Sequence, residues 1–253
     1  YSISAQKVIK NGITGTSFRV DVNTHQHVRN YTDIIRLINS SPLDPRVKDD
    51  ACAIFTLLGR AEAAVHGVDL DRVHFHEVGA VDSIIDICGA AIGINESGVQ
   101  QAYCSPINTG SGTVQTAHGV LPVPAPATAR LLEGMSAYST GTIAELATPT
   151  GAAILKHYCG KSSSMPLMEI TASGYGAGTR DLDFPNMLRI FRGNTNTAAG
   201  TEEQIIELET NIDDMNPEMF SHLFDTLYSK GAIDVTVIPA YMKKNRPGHI
   251  LKV

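Results

Sequence analysis

The sequence lacks any apolar run long enough to cross a bilayer, because Gly, Ser or a charged residue interrupts each apolar stretch well short of the roughly 18 residues that a span needs. It also lacks an excess of positive charge. Lys and Arg total 20 and Asp and Glu total 26, a net charge of −6, which argues against a duplex-coating or polybasic membrane protein. The start, YSISAQKVIKNG, has no apolar signal-peptide core. We therefore expect a cytoplasmic protein that binds neither nucleic acid nor membranes.

Several motifs of common catalytic sites are missing as well. The four cysteines are far apart without a C-x-x-C pair, so neither a zinc ribbon nor a redox dithiol is indicated. We interpret them as reduced, mostly structural thiols. The chain has no G-x-S-x-G and no S-x-x-K, which makes nucleophilic catalysis the least favoured class. Its glycine-rich stretches, residues 110–112 and 174–178, lack the G-x-G-x-x-G and Walker-lysine patterns of nucleotide sites.

What the chain contains is a mixture of strand and helix patterns in two blocks. Residues 1–194 predict a mixed α/β domain with a candidate metal site, and the polar residues 195–203 predict a linker. Residues 204–253 read as strand, helix and strand, the start of a split ferredoxin-like, nucleotide-binding domain. With 43% hydrophobic residues in 253, a substantial core is expected. The predicted class is α/β of the α+β kind, incomplete at both chain ends.

The densest group of candidate metal ligands contains two histidines separated by one residue. His74 and His76 point to one side of an extended segment, because side chains alternate there, so both imidazoles can reach one ion. Glu77 follows, and Asp82 and Asp86 are four residues apart on one face of the next predicted helix. Imidazole with carboxylate suits nickel, zinc and similar ions. Carboxylates at a helix amino end also suit its dipole, so spacing alone leaves both a metal or catalytic site and a helix cap open.

Other candidates have weaker patterns. His25 and His27 form a second H-x-H pair in a polar loop, a composition equally typical of a solvated surface loop. Glu62 and His66 are four residues apart on a predicted helix, and we interpret them as a pair on its solvent face. Residues 148–151 lie at a helix start, where amides and hydroxyls suit a phosphate or carboxylate, and where an ordinary N-cap is also expected.

The second block carries one acidic and one basic group, in the segments ETNIDDMNPE and KKNRPG. Together they suit a nucleotide bound with a magnesium or manganese ion, since carboxylates hold the ion and cations hold phosphates. Separately, each group is typical of solvated surface charge. The residues concerned are Glu209, Asp213, Asp214 and Glu218 in the acidic group, and Lys243, Lys244 and Arg246 in the basic group.

Six ordered segments of the chain resemble the LarC family, the nickel insertion proteins of the nickel-pincer nucleotide cofactor. The resemblance runs from about Val22 to Val253, although the family usually extends beyond both ends of this sequence and often has a longer His-rich run than the present THQHV. The segments are VHFHEVGAVDSIIDICGAA, AHGVLPVPAPAT, ATPTGAAIL, GYGAGTRDL, ELETNIDDMNPE and MKKNRPG.

The resemblance implies a CTP-dependent nickel chelatase, a lyase-class cyclometallase that converts pyridinium-3,5-bisthiocarboxylic acid mononucleotide into the cofactor of lactate racemase. A homo-oligomer and contact with the cofactor-receiving racemase are also expected. Formation of the carbon–nickel bond removes a proton from the pyridinium ring, so a general base is needed. From the resemblance we expect His74 and His76 to capture nickel and His25 and His27 to deliver it. Ligand orientation or proton uptake is expected of Glu77, Asp82 and Asp86. In the second block, CTP with manganese or magnesium is expected at Asp213 and Asp214, and its phosphates at Lys243, Lys244 and Arg246.

Three other interpretations remain open at this point. A nickel-binding chaperone without turnover would bind the metal without needing a nucleotide. A nucleotide-dependent enzyme with another substrate would keep its turnover after loss of His74 and His76. A structural scaffold would bind no specific ligand.

Overall fold

The computed structural model describes residues 1–22, 29–73, 75, 81–195 and 205–253. By its internal contacts the chain divides into two compact units, Tyr1–Asn196 and Thr197–Val253. Both units combine helices with small sheets, which confirms the predicted mixed α/β class of the α+β kind. The roles assigned to residues 1–194 and 204–253 remain predictions.

The helices of the first unit form its core around α2. Within the described part of the unit this helix packs against four other helices, and its inward face buries Ile54, Phe55 and Leu58 completely. Burial of each such side chain contributes roughly 1.5 to 3 kcal/mol. Within the described residues, no helix is both long enough and apolar enough to pass through a membrane. The helices are α1 (Tyr31–Ser40), α2 (Pro45–His66), α3 (Val81–Glu96), α4 (Pro126–Leu131) and α5 (Pro149–Cys159).

The boundaries of these helices follow from local chemistry. Asp44 caps α2 by accepting a hydrogen bond from the Arg46 amide at 2.9 Å, and Pro45 takes the first helical position. The helix ends at Gly67, whose φ of 65° is the left-handed conformation that glycine favours. Thr148 caps α5 through a 3.2 Å bond from the Gly151 amide. In the sequence, Asp44 followed by Pro45 and Thr148 followed by Pro149 predict helix starts, and these caps confirm them.

In the part of the first unit that the structure describes, the strands form one four-stranded sheet and three two-stranded pairs. The larger sheet has the order β1-β2-β9-β10, and its β1–β2 hairpin turns at Asn11 and Gly12, as the sequence predicts. The pairs are β3 with β7, β4 with β8, and β5 with β6. The strands are β1 (Ser2–Lys10), β2 (Ile13–Asp21), β3 (Ile107–Asn108), β4 (Gly110–Ser111), β5 (Thr113–Thr116), β6 (Gly119–Pro122), β7 (Ala137–Tyr138), β8 (Ala144–Glu145), β9 (Met168–Ala177) and β10 (Met187–Thr195).

The second unit contains β11 (Glu209–Ile212), α6 (Met219–Ser229), β12 (Thr236–Met242) and β13 (Arg246–Lys252). Strand β13 lies between β11 and β12 and is antiparallel to both, so the two outer strands run parallel in a split β-α-β arrangement. The apolar segment IIELET predicts a strand over residues 205–210. The structure places the strand at β11 instead, because Glu209 to Ile212 are the residues that pair with β13. The ferredoxin-like assignment remains a prediction.

Candidate functional site

The predicted metal ligands fall mostly on residues whose structure is not described. His25, His27, His74, His76 and Glu77 all lie outside the described residues. Their assignment as ligands therefore stays a prediction. The described part of the same motif consists of Phe75 and of the carboxylates at the start of α3.

Phe75 attaches the motif to the helical core. Its side chain is buried against the ring of Phe55, with the ring centres 6.2 Å apart in an edge-to-face contact. Its amide donates a hydrogen bond to the Arg29 carbonyl at 3.4 Å. Phe75 itself is therefore packed against α2.

Two carboxylates lie on the first two turns of α3. Asp82 accepts a 2.8 Å hydrogen bond from the Ser83 amide, and Asp86 is one turn further along the helix. Partial burial, followed by the negative charge of Asp82, raises the pKa of the Asp86 carboxyl. A carboxylate with a raised pKa accepts a proton more readily at neutral pH. Asp86 is thus chemically suited to act as a base.

A cavity of about 180 Å³ lies where α3 and α5 both begin, and its wall includes Ser83, the residue that follows Asp82. Helix starts expose backbone N–H groups and carry partial positive charge, so they attract anions. The β5–β6 hairpin and β8 complete the wall, and Glu145 on β8 adds a carboxylate. The lining residues are Ser83, Val114, Thr116, Ala125, Glu145, Thr148, Pro149 and Thr150.

The start of α5 combines a helix cap with the cavity wall. The Thr148 hydroxyl is engaged in the cap, while Thr150 lies in the first helical turn and lines the same cavity. The sequence predicted either a cap or an anion site at residues 148–151. In the structure the cap is confirmed, and the helix start also faces a cavity.

A histidine cluster that sequence patterns did not reveal lies at the end of α2. The ring centres of His66 and His118 are 4.8 Å apart, and the ring planes are tilted by 48°. Glu62 Oε2 lies 3.4 Å from His66 Nε2. The sequence indicates that Glu62 and His66 are a pair on the solvent face of α2. In the structure, the β5–β6 turn brings His118 into contact with His66. Since α2 and this turn are far apart in sequence, no local pattern signals the contact.

The turn that carries His118 is joined to the cavity wall. The Thr116 hydroxyl accepts a hydrogen bond from the His118 amide at 3.1 Å and donates one to the Gly119 carbonyl at 2.9 Å. Thr116 itself lines the cavity. Among the residues that the structure describes, no group of three or more His, Cys, Asp or Glu side chains has an arrangement that could hold a metal ion.

A larger cavity, of about 670 Å³, lies elsewhere in the first unit and contains none of the predicted site residues. Its wall includes Asp50, which contacts His157 Nε2 at 2.8 Å and accepts a 3.2 Å hydrogen bond from the Tyr158 hydroxyl. Burial first, and Asp50 second, raise the pKa of Tyr158. Because this network connects α2 to α5, we interpret it as a structural link between the two helices. We therefore place the candidate site at the smaller cavity.

The second unit brings its acidic and basic groups to one end of the sheet. Asp213 and Asp214 follow the end of β11, and the short helical turn Lys243–Asn245 connects β12 to β13 at the same end. A Cβ atom on Gly248 would lie 2.8 Å from the Ile212 carbonyl oxygen, so the two segments are in close backbone contact. The strand order therefore juxtaposes the groups that the sequence predicted as an ion site and a phosphate site.

The basic turn has an unusual backbone. Lys244 and Asn245 both take left-handed conformations, with φ of 65° and 57°. For residues other than glycine such conformations cost about 1 to 2 kcal/mol each, less for Asn. Backbone strain of this kind clusters at ligand-binding sites.

Comparison with known proteins decides the family of the chain. Residues 1–253 match the family described as nickel insertion protein. The chain belongs to this family. The resemblance to the LarC family is thereby confirmed. No solved structure matches the chain.

Members of the nickel insertion protein family are similar to the chain along all of its length. Two proteins of Desulfitobacterium hafniense, both named pyridinium-3,5-bisthiocarboxylic acid mononucleotide nickel insertion protein, are 48% identical over 259 residues in strain DCB-2 and 47% identical over 259 residues in strain Y51. A protein of Geotalea daltonii, provisionally named a nickel insertion protein, is 49% identical over 254 residues. All three alignments cover 100% of the chain, which spans only 64 or 65% of the length of these relatives.

Proposed function

We propose that this protein inserts nickel into pyridinium-3,5-bisthiocarboxylic acid mononucleotide and so produces the nickel-pincer cofactor. The observation that carries the proposal is the family match over residues 1–253, together with two relatives named for this substrate. In chemical terms Ni²⁺ replaces a proton on a ring carbon of the pyridinium. The ring proton leaves to a base, the carbon keeps the electron pair, and that pair forms the bond to nickel.

The cavity of the first unit supports this substrate class. A pyridinium mononucleotide carries a phosphate and two thiocarboxylates, and the starts of α3 and α5 attract negative charge. A volume of about 180 Å³ suits the phosphate end or one thiocarboxylate arm rather than the entire molecule. Hydroxyls of Ser83 and Thr150 on its wall supply hydrogen bonds to such groups.

We propose that the predicted nickel and base residues act on the substrate bound at this cavity. We assign nickel capture to His74 and His76, delivery to His25 and His27, and ligand orientation to Glu77. Asp86, supported by Asp82, accepts the ring proton, because its raised pKa favours the protonated product. Their assignment depends on the motif, since five of the seven residues lie outside the described ones.

We assign CTP to the second unit, where charge of both signs meets at one end of the sheet. The carboxylates of Asp213 and Asp214 fit a manganese or magnesium ion, which prefers oxygen ligands. Lys243, Lys244 and Arg246 fit the phosphates, and Arg246 is able to make a bidentate contact. Bound there, the metal ion neutralises part of the phosphate charge of CTP.

The biological setting proposed for the protein follows the family resemblance. We propose a homo-oligomer in the cytoplasm that passes the finished cofactor to a lactate racemase. Size determination in solution tests the first part. Co-purification of the racemase with the nickel-loaded protein tests the second.

The function is tested by incubating the full-length protein with Ni²⁺, the mononucleotide, CTP and Mn²⁺. We expect a nickelated product in the mass spectrum and activation of a racemase that requires the nickel-pincer cofactor. Nickel binding without product at any CTP concentration would favour the chaperone interpretation. Product formation that is unchanged by the combined His74→Ala and His76→Ala substitutions would show that the ligand assignment is wrong.

A Thr150→Val variant tests the cavity separately. We expect the affinity for the mononucleotide to fall by about tenfold, the equivalent of one hydrogen bond to a charged group. Thr179→Val is the matched control, because Thr179 is exposed and does not line the cavity. Equal affinities in the two variants would contradict the placement of the substrate.

A further inference from the structure

We propose that His66 and His118 together bind one Ni²⁺ ion and hold it at the edge of the substrate cavity. The identity of the ion rests on the proposed function. The placement of the site rests on the described contacts of His66, His118 and Glu62. Neither His66 nor His118 belongs to the H-x-H motifs at His74 and at His25.

The distance between the two rings suits a shared ion. An imidazole nitrogen binds a divalent metal at about 2 Å, so two imidazoles on one ion have ring centres about 4.5 to 5 Å apart. The ring centres of His66 and His118 are 4.8 Å apart, and the planes are tilted by 48° rather than stacked. The same imidazole ligands suit nickel, whose affinity for nitrogen sites is high among divalent ions.

Both histidines are carried by rigid elements. His66 is the last residue of the 22-residue helix α2, whose end is fixed by Gly67 and a hydrogen bond to the Ala63 carbonyl. His118 lies in the β5–β6 turn, which Thr116 closes through two hydrogen bonds. Little backbone order must then be gained on binding, which favours affinity.

The electrostatics of the pair favour a cation. The carboxyl end of α2 carries partial negative charge, and it ends at His66 itself. The Glu62 carboxylate lies 3.4 Å from His66 Nε2 and adds a full negative charge. Carboxylates next to metal-binding histidines orient the ring and raise its basicity. An ordinary i,i+4 contact explains Glu62 and His66, but it does not explain why a second imidazole from a distant turn meets them.

The position of the pair connects it to the substrate. Thr116 lines the cavity, and His118 is two residues further along the same turn. The cavity attracts anions through helix starts, whereas the pair attracts a cation through a helix end. An anionic thiocarboxylate in the cavity and Ni²⁺ on the pair therefore complement each other in charge. The ion would thus have His66 and His118 as protein ligands and an anionic thiocarboxylate of the substrate as a further ligand.

The test is calorimetric titration of Ni²⁺ into the full-length protein without nucleotide. We expect His66→Ala and His118→Ala each to weaken or remove one class of nickel site by more than about tenfold. Because the two rings share one ion, the double variant should lose little more than either single variant, a non-additive result. His222→Ala, on the exposed surface of α6, is the control and should bind nickel as the original protein does.

A Glu62→Gln variant keeps both imidazoles and tests the carboxylate, with an expected loss of about tenfold in affinity at the same site. Circular dichroism of each variant verifies that the fold is intact. Unchanged nickel affinity and stoichiometry in both histidine variants would overturn the inference, even if the original protein still forms the nickelated product. Losses in the two single variants that add fully would also overturn it, because they indicate two separate ions. If the pair binds nickel but no product forms, the proposed function fails and the nickel site stands.

Discussion

At the scale of single residues, Asp86 carries a pH dependence that is open to measurement. Its pKa is raised by partial burial and then by Asp82, so the folded protein disfavours the ionised form. The protonated group therefore stabilises the fold below the pKa of the unfolded chain, and this contribution is lost as the pH rises through the folded pKa. We expect Asp86→Asn to be more stable than the original protein at about pH 7 and equally stable at about pH 3.

Thermal unfolding at the two pH values measures this difference. Asp225→Asn, at an exposed carboxylate on α6, serves as the control for replacing a carboxylate by an amide. If Asp86→Asn raises the thermal stability equally at both pH values, the effect comes from the new side chain rather than from the loss of the charge.

Lys244 allows backbone strain and charge to be separated. Its φ of 65° costs a non-glycine residue about 1 kcal/mol or more. We expect Lys244→Gly to raise the free energy of unfolding by about 1 kcal/mol. Lys244→Ala keeps the strain and should not raise it. Both variants lose the same cation, so both should bind CTP more weakly. Urea unfolding and CTP titration measure the two effects, and equal stability of the two variants would contradict the strain argument.

At the scale of elements, the β5–β6 turn decides where His118 lies. Gly119 has a φ of 92°, and an added Cβ would meet no atom within 4 Å, so only the backbone conformation resists a larger residue. We expect Gly119→Ala to lower the free energy of unfolding by about 1 kcal/mol and to weaken nickel binding by displacing the turn. Urea unfolding measures the stability, and Ni²⁺ titration measures the affinity.

Gly174→Ala is the matched control for this turn. Its Cβ also meets no atom within 4 Å, and its φ does not lie in the left-handed region. It should therefore leave both stability and nickel binding nearly unchanged. Equal effects of the two substitutions would mean that positive φ does not hold the turn in place.

At the scale of the whole molecule, the two compact units should bind their ligands separately. We expect the combined Lys243→Ala, Lys244→Ala and Arg246→Ala variant to lose CTP affinity by at least about tenfold while nickel binding stays unchanged, because charge-assisted contacts to phosphate are lost only in the second unit. His66→Ala should instead weaken nickel binding and leave the CTP affinity unchanged. Titrations of both ligands into both variants test this. A loss of nickel affinity in the triple variant as large as that of His66→Ala would refute the separation.

Much of the secondary structure could be predicted because its causes are local. Asp44 with Pro45 and the left-handed Gly67 define α2, and apolar residues at helical spacing give its buried face. The strand at β11 was displaced from its predicted place because a strand needs a partner, and the partner β13 pairs with Glu209 to Ile212. Local pattern contains no information about that register.

The sequence by itself determined the helix caps, the α+β class and the family, because these depend on neighbouring residues or on ordered motifs. Only the tertiary structure decided that the starts of α3 and α5 share one cavity, that β13 brings Asp213 near the turn before Arg246, and that His118 meets His66. The physical reason is that these contacts join segments distant in the chain. Their proximity is set by the packing of α2 and by strand order, and the spacing of nearby residues predicts neither of these.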